Sequence, residues 1–151
     1  MNGEKVGTYL SRAVILEHKK HLFEWTDNSM GSSVLLLYFE NMDKTFIQNL
    51  NSLIKKIINL EPLVIAIAGK EKKIIFDLLL NRLSEIETSH HIITKICGDK
   101  NIKDILEDFF MATWPAEESF DNWQKYSIIF FGKEVSFNLF KEKLKKILDK
   151  N

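Results

Sequence analysis

Four short apolar runs punctuate the chain, at 34–39, 63–68, 92–97 and 127–131, and each is followed by a stretch whose apolar residues recur at helical spacing. A strand repeatedly followed by a helix implies parallel pairing, because a parallel connection needs a crossover and the crossover helices then cover both faces of the sheet. After the first run, Phe46, Ile47, Leu50, Leu53, Ile54, Ile57 and Ile58 form one apolar stripe, with Asn41 and Asp43 ahead of it in the turn and capping region. Glu61-Pro62 closes that helix, since the residue before a proline is pushed out of the right-handed helical region. Further stripes run on Ile75, Leu78 and Leu79, on Ile105, Leu106 and Phe109, and on Phe140, Leu144 and Ile147. The expected architecture is a three-layer α/β sandwich around a four-stranded, mainly parallel sheet, with about five helices.

The remaining helix is N-terminal. Tyr9, Ala13 and Leu16 at roughly helical spacing predict an amphipathic helix over about 8–25, in competition with a short strand at 12–16. The polar segment 26–33 is a loop that delivers the chain into the first strand. Residues 1–151 read as one domain. Among the four runs, the second has no polar residue and belongs inside the sheet, while the third carries Thr94 and Lys95 and suits an edge. The favoured order of the four is therefore 3-2-1-4, with 2-1-3-4 as the alternative. In the favoured order the connections reverse direction between the first and fourth strands, so a ligand crevice is expected at their C-terminal ends, around Glu40, Asn41, Asp43, Gly132 and Lys133.

Charge narrows the partners. Lys plus Arg equals Asp plus Glu at 21 each, which removes the usual argument for a nucleic-acid or anionic-membrane partner. The lysines at 141, 143, 145, 146 and 150 read as the solvated face of the last helix. No run approaches the roughly 20 apolar residues of a membrane-spanning helix, and the N-terminus lacks the apolar core of a signal peptide. A cytoplasmic location is the expectation. A single cysteine excludes an intramolecular disulfide.

Candidate chemistry is sparse. Three strands finish in glycine followed by a polar residue, as in Gly69-Lys70-Glu71, Gly98-Asp99-Lys100 and Gly132-Lys133-Glu134. Tight strand-to-helix turns account for them, and neither G-x-x-x-x-G-K-[ST] nor G-x-G-x-x-G occurs. Cys97 stands at a strand end, but His90 and His91 lie at the other end of the same run, too far to act as its base, so a buried structural thiol is expected. Glu17, His18, His21 and Glu24 fit a solvated helix face better than a metal site, and no metal or cofactor is anticipated. No nucleophile elbow is present, which favours a non-catalytic protein.

The most unusual local sequence joins the third helix to the fourth strand and exceeds the usual two to six residues of such a connection. It holds Trp114, Glu117, Glu118, Phe120, Asp121 and Trp123. One reading has the two tryptophans closing the bottom of the core. The other is an aromatic and acidic recognition surface for another protein, at the N-terminal edge of the sheet and away from the usual small-molecule crevice. The leading expectation is a non-catalytic interaction or regulatory module, of the accessory or immunity-protein kind, that uses this loop. The alternative is a small nucleotide- or phosphate-ligand domain, an enzyme or not, with its site on Asn41, Asp43, Gly132 and Lys133.

Overall fold

A computed structural model describes residues 3–20, 31–40 and 44–150. Its six strands are β1 (Glu4–Tyr9), β2 (Arg12–Lys19), β3 (Ser33–Phe39), β4 (Val64–Gly69), β5 (Ile93–Ile96) and β6 (Lys125–Phe131). They form one sheet in the order β1-β2-β6-β3-β4-β5. β1 is antiparallel to β2, and every other neighbouring pair is parallel. The described α-helices are α1 (Lys44–Asn59), α2 (Lys72–Leu83), α3 (Ile102–Ala112) and α4 (Glu134–Asp149), with a 3-10 helix at Glu117–Asn122.

The strands alternate their side chains between two cores. Leu35, Leu37 and Phe39 of β3 join Ile65 and Ile67 of β4 beneath Leu53, Ile54 and Ile57 of α1 and Ile75 and Leu79 of α2. Val34 and Leu36 face the other way, with Ile128 and Phe130 of β6, against Leu106 and Phe109 of α3 and Phe140 and Leu144 of α4. The four anticipated strands lie in the order β6-β3-β4-β5, the favoured arrangement, and short β5 with its half-buried Thr94 and Lys95 is indeed an edge.

The sheet has six strands rather than four, and the predicted N-terminal helix is the reason. Within 8–25, residues up to Lys19 belong to a β-hairpin, and positions 21–25 lie outside the described residues. Val14 and Leu16 are buried on one face of β2 with period two, which wins over the helical spacing because it completes the sheet. Tyr9 pairs with Arg12 across a two-residue turn in which Leu10 (φ 49°) and Ser11 (φ 67°) both take left-handed conformations. Such turns match the twist of a hairpin but favour Asn-Gly, so Leu-Ser hid this one from view. β2 then pairs along β6 from Ala13 opposite Lys125 to Lys19 opposite Phe131.

Candidate functional site

The loop between α3 and β6 is anchored at both ends. At its start Thr113 is buried, and its hydroxyl accepts a hydrogen bond from Lys95 Nζ at 3.1 Å, while the same ammonium pairs with Asp108 at 2.8 Å. Pro115 is buried. Ser119 is buried too, and its N–H donates to the Ala116 carbonyl at 2.8 Å, which begins the 3-10 helix. At the far end Trp123 is only 8% exposed and meets Tyr126 edge-on at 5.4 Å. Arg12 of the hairpin lies over the Trp123 ring at 3.7 Å and donates from Nε to the Trp123 carbonyl at 3.1 Å. A guanidinium over an indole face is attracted by the ring quadrupole, so the hairpin and the loop hold each other.

From this platform two aromatics project. Trp114 is 54% exposed and Phe120 is 42% exposed, and Glu117, Glu118 and Asp121 are exposed beside them in sequence. Phe120 meets Trp123 edge-on at 5.6 Å, so the exposed ring rests on the buried one. The two tryptophans thus divide the two readings between them: Trp123 closes the core and Trp114 faces water. At the same edge Leu10, 68% exposed at the hairpin tip, adds a third projecting apolar side chain. Neither Leu10 nor Arg12 was singled out in the sequence, because the segment read as helix.

The opposite edge is arranged differently from the expected crevice. Asn41 and Asp43 lie outside the described residues. The Glu40 carboxylate accepts the Lys133 backbone N–H at 3.0 Å, and its backbone N–H donates to the Phe131 carbonyl at 2.9 Å. A Cβ on Gly132 would come within 2.7 Å of the Glu40 side chain, which therefore fills the space where β3 and β6 end. His18 bonds the Gly132 carbonyl through Nε2 at 2.7 Å and stacks on Phe137 at 4.5 Å. Glu17 and His18 sit on β2 instead of a helix, and His21 and Glu24 lie outside the described residues.

Among the described residues an open crevice lies one strand over, above the ends of β3, β4 and β5, with a volume of about 700 Å³. Lys70 of the β4–α2 turn, Lys72 and Lys73 at the start of α2, and Lys100 of the β5–α3 turn line it. Lys72 donates to Asp99 at 2.6 Å and ties the two turns together; that hydrogen bond, with the ammonium charge, lowers the Asp99 pKa. Gly69 shapes the first turn: φ is +99°, and a Cβ there would sit 2.0 Å from the Phe39 carbonyl oxygen. The signal in the sequence was the glycine-lysine pair at 69–70, which turn chemistry alone seemed to explain.

Cys97 is buried, and burial pushes its thiol pKa up, the opposite of an activated nucleophile. Burial likewise pushes the Tyr126 phenol up to about 12, and its hydroxyl has no hydrogen-bond partner among the described residues. Among the described residues no group of three or more His, Cys, Asp or Glu side chains comes together to hold a metal ion, and no helix is long and apolar enough to cross a membrane. No protein-family model and no curated protein sequence matches the chain.

Proposed function

We propose that this protein is a non-catalytic interaction module that docks a basic surface of another protein on the α3–β6 loop. The observation that carries the reading is the contrast between the loop's anchored frame and its projecting aromatics: Thr113, Pro115, Ser119 and Trp123 are buried while Trp114 and Phe120 face solvent. Exposed aromatics on a frame held from beneath lose little conformational freedom on binding, which is the property of an interface anchor. Charge supplies the direction. Residues 113–124 contain three carboxylates and no lysine or arginine, so the surface around the anchors complements a basic partner.

Affinity capture with the folded protein in the native host tests this. A captured partner should be lost, by about tenfold or more, with Trp114→Ala plus Phe120→Ala and with Glu118→Lys. It should be retained with Leu139→Ala, which removes an equally exposed apolar side chain from α4. Equal capture by all variants would overturn the reading.

A further inference from the structure

The crevice at the other edge of the sheet takes no part in that docking surface, and its chemistry is of a different kind. Four lysines line it, Lys70, Lys72, Lys73 and Lys100, together with the carboxylates Glu40, Glu71 and Asp99. Two of those carboxylates are already engaged. Asp99 neutralises Lys72 at 2.6 Å, and Glu40 accepts the Lys133 backbone N–H. Lys70, Lys73 and Lys100 make no ion pair among the described residues. Four lysines against three carboxylates leave the crevice with one net positive charge, because the neutral N–H bonded to Glu40 does not cancel its charge, and an anionic group such as a phosphoryl is the complement.

Holding three like charges around one concavity is unfavourable in the empty protein, and an anion between them reverses that sign. The volume of about 700 Å³ falls within the range of small-molecule sites. The crevice lies outside the carboxyl ends of parallel strands, one strand over from the β3–β6 reversal. We propose that this crevice binds a small phosphorylated ligand, held by Lys70, Lys73 and Lys100. A nucleic-acid backbone is the less suitable occupant: the lysines are confined to one crevice, and the chain as a whole carries no net charge.

Calorimetric titration of the full chain at low ionic strength with inorganic pyrophosphate, inorganic phosphate and a single-stranded oligonucleotide tests the proposal. Saturable one-to-one binding of pyrophosphate is expected, weakened about fivefold to tenfold by each of Lys70→Gln, Lys73→Gln and Lys100→Gln. Lys143→Gln, on the exposed face of α4, should leave it unchanged, and Glu71→Gln should tighten it by removing the opposing charge. All five changes are on the surface or at a rim, and a urea titration of each variant verifies its fold. No saturable heat up to about 10 mM pyrophosphate, an affinity at the weakest end of measurable binding, would overturn the proposal. So would equal weakening by Lys143→Gln, or tighter binding of the oligonucleotide than of pyrophosphate.

Discussion

Replacing each loop tryptophan by alanine separates the frame from the anchors. Trp123 is 8% exposed, packs edge-on against Tyr126 at 5.4 Å and Phe120 at 5.6 Å, and lies under Arg12 at 3.7 Å. Truncating a buried tryptophan costs about 3–5 kcal/mol, and the lost cation–π contact is part of that sum. The bond from Arg12 Nε goes to the Trp123 carbonyl, so it survives the truncation and does not add to the cost. A domain of this size loses about 2–4 °C of Tm per kcal/mol, so Trp123→Ala should melt about 6–20 °C below the parent. Trp114, 54% exposed, should cost about 1 kcal/mol or less when truncated. Urea unfolding followed by far-ultraviolet circular dichroism measures both on one scale. Equal losses for the two variants, or a loss below about 1 kcal/mol for Trp123→Ala, would refute the division of labour between the two rings.

Two further outcomes follow from the same packing. Gly69→Ala should destabilise by about 2–4 kcal/mol in urea titration, because a left-handed φ and a backbone oxygen 2.0 Å away act together; Gly98→Ala, whose Cβ would touch only the Lys100 side chain at 3.7 Å, should be neutral or slightly stabilising. Tyr126 keeps its proton to about pH 12 in the folded protein against 10.0 for the free phenol. Stability should therefore be insensitive to this group below pH 10 and fall by about 2–3 kcal/mol as the pH rises from 10 toward 12, where the unfolded phenol ionises and the buried one does not, and Tyr126→Phe should flatten that loss. At neutral pH the same variant should be as stable as the parent or more so, since the phenol hydroxyl it removes is buried without a hydrogen-bond partner among the described residues.

The parallel core was legible because its signals are redundant. Each of β3, β4 and β6 is an apolar run ended by a turn, and Leu53, Ile54, Ile57 and Ile58 of α1 mark one buried stripe. The hairpin was legible only in part: the competing strand at 12–16 lies within β2, but Leu10 and Ser11 occupy a turn whose usual residues are Asn and Gly, and Tyr9, Ala13 and Leu16 satisfy a helical period by chance. One clue to it was nevertheless present. From Tyr126 to Phe131 the only small polar residue is Ser127, and every one of these side chains is buried, which is the composition of an interior strand and poor protection for an edge. A further strand beside β6 was implied by that composition alone.

The same misread segment also concealed which tryptophan faces water. Trp123 is sheltered by Arg12 and Tyr126, and Arg12 belongs to the hairpin. With Arg12 placed on a helix, nothing in 113–124 distinguished Trp114 from Trp123. With β2 laid along β6, the guanidinium falls on the second ring and leaves the first exposed. The loop's spacing and charge marked a surface. Which of its side chains can reach a partner is decided by a strand more than a hundred positions earlier, and that is a tertiary fact no local pattern encodes.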